Sequence, residues 1–386
     1  MRINKAMLRK TGFTAAAVIL LSSAAICTAL RISGMIPSVP LTILAVEGTL
    51  PAAAGNINEP YEETALPAKQ EASKEESSEK SLPMPEKKVS SVPAEEKKGE
   101  YVFEASSVSE AEIKKYNAEH EGEEKYPVTE ISITKGNEAF GSIQVKNNSS
   151  FEPDIEKELN SSLGFTMEKS DEPQVLIYHT HTGESFLTYD TGYYFESFYP
   201  RSDDKTKNVC AVGEEIAKQL NSAGIVTIHD TTVHDSTYSG AYDRSLNTIQ
   251  NYLKKYPSIK AVLDIHRDGI GTDNERCKPV CTVKNKKAAQ IMLLAGYNYD
   301  GCEEFKDWEY NLRFALRIQK QAEEMYPGIM RPLYFADFMY NMNVNTGSLL
   351  IEIGADSNTV EEVRYSGYLL GEVLKKVLAP QEKKNN

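Results

Sequence analysis

A chain of 386 residues can hold two domains, or one domain with long appendages. Its 56 acidic residues outnumber 43 basic ones, for a formal net charge of -13. No basic tract suits a phosphate backbone, which argues against a nucleic-acid binder. The five cysteines read as buried or loosely paired thiols. Cys277 and Cys281 are near enough in sequence to pair, but spacing alone establishes neither a disulfide nor a zinc site.

The first ten residues carry Arg2, Lys5, Arg9 and Lys10 and no acid. Thr11 to Leu30 then runs without a charge, long enough to cross a bilayer as a helix. Basic residues before the span and few after it orient the N-terminus to the cytoplasm and the bulk of the chain outside. An uncleaved anchor fits this better than a signal peptide, whose apolar core is shorter. Residues 31–100 follow; from Pro51 to Glu100 they are rich in Pro, Glu, Lys, Ser and Ala and nearly empty of large apolar residues. Such a segment cannot bury enough surface to offset its conformational entropy and reads as a disordered tether.

The organisation expected is therefore an anchor (1–30), a linker (31–100), a helical and β lead-in (101–164) and a catalytic domain (165–380). The lead-in holds a helical stretch, "SEAEIKKYNAEHE", and two short alternating runs, "EISITKG" and "FGSIQVKNNS". Strands and helices then alternate. "QVLIYHT", "IVTIHDTTV", "AVLDIHRDG", "QIMLLAGYN" and "SLLIEIGADSN" read as strands. Helices are predicted over "VCAVGEEIAKQLNSAG", "RSLNTIQNYLKKYP", residues 303–326 and "TVEEVRYSGYLLGEVLKKVL". The first of these places Val209, Val212, Ile216 and Leu220 on one face, with Gly224 past its end as a cap. This alternation predicts an α/β fold, a mostly parallel twisted sheet with helices on both faces. Working residues in such folds gather at the carboxyl ends of strands.

Three strands end in costly residues. One runs into His179, Thr180 and His181, with Glu184 following. Another ends in His266-Arg267-Asp268, and the last carries Glu352 among apolar neighbours. Two histidines and a carboxylate with a position open to water form a catalytic zinc shell, and a non-ligand glutamate serves as its general base. H-x-x-E spacing brings two side chains off one tight turn, so His181 and Glu184 are the expected pair, with His266 the third ligand. His179 is an alternative ligand or a supporting group, and Glu352 suits the base. His120, His229 and His234 lie in polar surroundings and read as ordinary hydrogen-bonded residues.

"IYHTHTGESF", "YSGAYDRSLNTI", "LDIHRDG" and "LLIEIGADSNT", in that order behind an anchor and linker, resemble the stage II sporulation protein P family over about residues 165–380. The resemblance implies a zinc N-acetylmuramoyl-L-alanine amidase with peptidoglycan endopeptidase activity and a phosphorylase/hydrolase-like fold. "IEIGADSN" is similar to the segment that carries the catalytic glutamate of zinc amidases, which gives Glu352 that role. "VLIYHTH" is similar to the strand end that carries their first histidine ligand, which selects His181 over His179. The chain departs from the amidases in the "HTHT" turn and in the short spacing to Glu184. The family setting implies forespore engulfment at the mother-cell membrane, with stage II sporulation proteins D and M as partners. Two other readings remain at this stage. A metallocarboxypeptidase-like enzyme would use a pocket arginine, with Arg201, Arg244 and Arg267 as candidates. A wall-binding scaffold would need neither metal nor Glu352.

Overall fold

The computed structural model describes residues 101–297 and 305–380. The expected anchor and linker lie outside the described residues. Among the described residues no helix is long and apolar enough to cross a membrane.

An eight-stranded sheet forms the centre of the molecule. Its order is β2 (Glu138–Phe140), β3 (Ile143–Asn147), β12 (Leu333–Ala336), β11 (Ile291–Gly296), β13 (Ser348–Ala355), β7 (Ala261–Asp268), β4 (Val175–Tyr178) and β6 (Thr227–His229). The pairs β3/β12, β12/β11, β13/β7, β7/β4 and β4/β6 are parallel, while β2/β3 and β11/β13 are antiparallel. The sheet is thus mixed, with a reversal at its middle. Periodicity reports which residues are apolar but not the direction in which two distant strands pair.

A second sheet runs in the order β10 (Lys286–Ala289), β9 (Glu275–Val283), β1 (Lys125–Ile131) and β5 (Tyr193–Phe195), with β8 (Gly271–Thr272) also on β9. This sheet is not apparent from the sequence. Strand β9, "ERCKPVCTV", contains Pro279 and charged residues, and β1 pairs with it in parallel across a long stretch of chain. Both sheets draw strands from the lead-in. Cys277 and Cys281 are free and stand four residues apart on this one strand. At ~3.3 Å of rise per residue they are about 13 Å apart, far beyond disulfide reach.

Helices cover both faces of the large sheet. Strand alternation sends Val175, Ile177, Leu263, Ile265, Ile351 and Ile353 to one side, into the main core. Three helices supply the rest of that core: α3 (Val209–Ser222), α5 (Trp308–Met325) and α6 (Val360–Val377). Val209, Val212, Ile216 and Leu220 all face inward on α3, and Gly224 follows its end at φ 78°. Thr359 and Glu362 form a capping box at the start of α6. The opposite side carries Leu176, Tyr178 and Val262 beneath α4 (Ala241–Lys255), which adds Ile249. The described residues also form α1 (Glu110–Glu119), opened by a Ser109–Glu112 capping box, and the short α2 (Ile155–Asn160).

The described chain begins as a strap across α3 and α6. Phe103 is buried against Tyr365 and Tyr368, at ring distances of 5.2 and 5.6 Å. The Tyr101 hydroxyl donates to Glu215, and Gln219 Nε2 donates to the Tyr101 carbonyl.

Strand β9 also carries Lys278, which is 1% exposed. Its ammonium lies 2.7 Å from Asp190, 2.8 Å from Glu362 and 3.3 Å from Glu130. The three acids are close enough to one another to hold a metal, but the lysine already supplies the cation. Burial disfavours the charged ammonium; Glu362 and Asp190 outweigh it and hold its pKa above the usual lysine range. Removing the charge leaves the buried Glu362 Oε1 without its cation. Lys278→Met is therefore expected to lower the unfolding free energy by about 3 kcal/mol, measured by urea denaturation. An unchanged midpoint would mean that the acids simply turn to solvent.

Candidate active site

Strands β4, β7 and β13 are neighbours, so their carboxyl ends meet. Glu352 and His266 are register partners across β13 and β7. Alternation puts both on the α4 side of the sheet, together with Asp264. Past Glu352 the strand bulges, and Gly354 takes φ 66°, where an added Cβ would fall 2.6 Å from Asn358 Oδ1. That glycine suits a left-handed, crowded turn.

Strand β4 ends at Tyr178, before the two histidines. The chain then turns, with Glu184 N donating to the His181 carbonyl at 3.0 Å. This turn brings His181 and Glu184 beside His266. The His181 and His266 rings are perpendicular with centroids 5.3 Å apart, and His266 Nδ1 lies 3.4 Å from Glu184 Oε2. The turn also separates the two histidines of "HTH". His179 points its Nδ1 at the Ile265 carbonyl (2.9 Å) and its Nε2 at His229 Nε2 (3.0 Å). Both of its nitrogens are thus engaged, and burial followed by His229 pushes its pKa down to about 3.

Asp264, absent from the sequence-based candidates, organises this corner. It accepts from Thr180 N at 2.9 Å and from Thr180 Oγ1 at 2.7 Å. Its Oδ1 also lies 3.0 Å from His266 Nε2, a charge contact without hydrogen-bond alignment. The signal was available: Asp264 is an acid two residues before His266 in a buried strand, hence on the same face.

The electrostatics favour positive charge here. Burial works against a charged His266, yet Asp264 and Glu184 hold its pKa well above the ordinary value. Burial likewise opposes an ionised Glu184, and His266, Arg267 and His181 override it to about 2. Glu352 goes the other way. Burial pushes it up to about 8, opposed by His266 and Arg331 and aided by Asp268 and Glu184.

Three buried atoms of this cluster, His181 Nδ1, His266 Nε2 and Glu352 Oε2, lack a hydrogen-bond partner. Buried polar atoms normally have one, so three orphans in one cluster fit a site that takes a ligand. Two imidazoles and a carboxylate suit zinc, and a carboxylate behind one imidazole is the usual outer support. By donor type, the residues present fit the metal.

The candidate arginines are engaged elsewhere. Arg244 donates to the carbonyls of His234, Ser239 and Thr237, which ties its own loop. Arg267 donates to the Pro200 and Asp268 carbonyls, and its backbone N–H donates to Glu184. Arg201 is paired with Asp235. Arg331, which sequence reasoning missed, binds Asp268 at 2.7 Å and lies near Glu352. His120 and His234 make ordinary hydrogen bonds, and His229 leads from His179 toward Glu214.

Aromatic rings flank the cleft. Tyr238 stacks on His181 at 4.7 Å and 2°, and Tyr242 meets the same imidazole edge-on at 5.6 Å. Tyr242 stacks in turn on Tyr340 at 5.3 Å. Tyr340 and Asn341 both have positive φ, 40° and 56°, which costs roughly 1–2 kcal/mol per residue. Asn341 Nδ2 holds that turn by donating to the Tyr242 carbonyl and Ser245 Oγ.

Comparison with known proteins decides the family. Residues 46–375 match the family model described as stage II sporulation protein P (SpoIIP). The chain belongs to the stage II sporulation protein P family. Stage II sporulation protein P of Bacillus subtilis (strain 168) is 26% identical over 227 residues, covering 56% of this chain. The match takes in 53% of that relative, so the chain spans about half the length of the curated relative it matches. Among solved structures, the catalytic domain of CwlV, an N-acetylmuramoyl-L-alanine amidase of Bacillus (Paenibacillus) polymyxa var. colistinus, is 12% identical. It covers 54% of this chain and 99% of that one, with a TM-score of 0.32. The CwlD amidase of Clostridioides difficile, solved with the GerS lipoprotein, is 14% identical with a TM-score of 0.31 and coverages of 53% and 98%. The family assignment rests on the family model.

Proposed function

We propose that this member of the stage II sporulation protein P family is a zinc-dependent peptidoglycan hydrolase of the amidase-like α/β fold. It cleaves the N-acetylmuramoyl-L-alanine amide and the peptide cross-links of the wall during engulfment. The observation that carries the reading is the meeting of His181, Glu184, His266 and Glu352 at one edge of the sheet, with three orphaned polar atoms among them.

In this reading His181, Glu184 and His266 hold the metal. When bound, zinc supplies Lewis-acid activation of water and of the scissile carbonyl. Asp264 fixes the His266 ring from behind. Glu352 accepts the proton of the attacking water and returns it to the departing amine nitrogen. Standing in register with His266, it is placed for both halves of that task. Asp268 is the poorer base, because Arg331 holds its carboxylate. The peptidase alternative needs a guanidinium turned to substrate, and Arg201, Arg244 and Arg267 are engaged by protein groups.

The same proposal sets the enzyme outside the cell membrane on a single-pass anchor in the mother cell, with a linker for reach. Stage II sporulation proteins D and M are its implied partners. Purified peptidoglycan digested with the full chain and zinc should release stem peptides carrying a free L-alanine amine, identified by mass. Products trimmed only at peptide C-termini would favour the carboxypeptidase reading. No products at all would favour a scaffold.

A further inference from the structure

The rings beside the cleft do not end there. Beyond Tyr340, Phe338 lies 4.5 Å away by ring centroid, and Tyr334 follows Phe338 at 5.8 Å in a near-parallel stack. Beneath them the sheet presents Met292, Leu294 and Leu350 as an apolar floor. Met292 is the register partner of Glu352, and Leu350 precedes it by two on the same face, so this floor continues that of the cleft. Despite their apolar bodies, Tyr238 is 54% exposed and Tyr340 39%. A partly exposed aromatic run continuous with the candidate site marks a place where something is bound.

The chemistry of the rings selects the occupant. Pyranose rings present flat C–H faces that stack on aromatic planes, and their hydroxyl and N-acetyl groups remain in water. Stem peptides instead bring carboxylate and ammonium groups, which need opposite charges. The arginines nearest the cleft are already held by carbonyls or carboxylates. The muramoyl amide is joined to its sugar by only a short lactyl ether, so a sugar site must begin near the base. This one does, since Tyr238 covers His181 and Tyr340 lies within electrostatic reach of Glu352.

We propose that the aromatic track from Tyr238 through Tyr242 and Tyr340 to Phe338 and Tyr334 is a glycan-binding subsite that seats wall sugars beside the cleft. The proposal rests on the hydrolase reading for its substrate, but sugar binding can be measured without hydrolysis. The full chain, held in chelator, is titrated calorimetrically with β-1,4-linked N-acetylglucosamine tetramer to hexamer, and separately with a sugar-free stem tripeptide.

The oligomers are expected to bind, with affinity rising with length. Tyr238→Ala/Tyr340→Ala should weaken that binding at least tenfold and leave peptide binding unchanged. Tyr238→Phe/Tyr340→Phe keeps the rings and should keep the binding, which separates stacking from misfolding. Oligomer binding that is absent, or equal in the alanine variant, would overturn the subsite. So would loss of peptide binding alone, which would make the track a peptide wall. Ring-dependent oligomer binding without any wall hydrolysis would retire the hydrolase reading and leave the subsite standing.

Discussion

Glu352→Gln is expected to lower cleavage of both the muramoyl–alanine amide and the peptide cross-link by ~10²–10⁴-fold while zinc stays bound. Glutamine keeps the size of the side chain but cannot accept the proton of water. Its amide resembles the protonated carboxyl that burial favours at this position, so the fold should tolerate it. Both bonds should fail together, because one cleft and one base serve both. A variant that keeps one activity near its full rate would imply a second site or a different base. Loss of zinc with activity would instead make Glu352 a ligand.

The same substitution has a pH signature in the metal-free protein. The folded value of about 8 lies above the ordinary 4.5, so the unfolded chain releases this proton first. Stability therefore falls as pH rises between those values, and Glu352→Gln should flatten that fall. Urea midpoints across the interval, in chelator, measure it.

His181→Ala and His266→Ala should each abolish stoichiometric zinc binding, since losing one of three protein donors opens the shell. His179→Ala should retain the metal, because both nitrogens of that ring already serve protein groups. Metal analysis of the three variants separates these roles. Full zinc in both His181→Ala and His266→Ala would end the assignment. Greater loss in His179→Ala than in His181→Ala would exchange the two histidines. Activity alone cannot decide the matter, since His179 also braces the Ile265 carbonyl next to His266.

Much of the catalytic face is legible in the sequence because its strands are buried and apolar. Strands β4, β7 and β13 stand out as hydrophobic runs, and a histidine or glutamate within them is conspicuous. Helices α3 and α6 declare themselves through one-sided apolar spacing and, in α6, a capping box. Other features depend on distant pairing. The antiparallel step between β11 and β13, and the second sheet around Pro279 and Lys278, involve residues whose local propensities say nothing of their partners. The split between His179 and His181 hinges on where β4 stops, and strand ends are poorly marked by composition. The aromatic track is assembled from the entry into α4 and from β12 with the turn after it, about a hundred residues apart, so no single stretch announces it.

The strap at Tyr101 and Phe103 bears on how the enzyme would stand tension. A pull transmitted through residue 101 arrives at α3 and α6, behind the sheet, while Glu352 faces the other way. The first contacts to peel are the hydrogen bonds at the Tyr101 phenol and carbonyl and the Phe103 ring seated against two tyrosines. Strands β4, β7 and β13 lie behind that joint and keep their register as it gives way. A pull on the chain ahead of residue 101 would thus slacken the rear of the domain while the face that carries Glu352 held its shape.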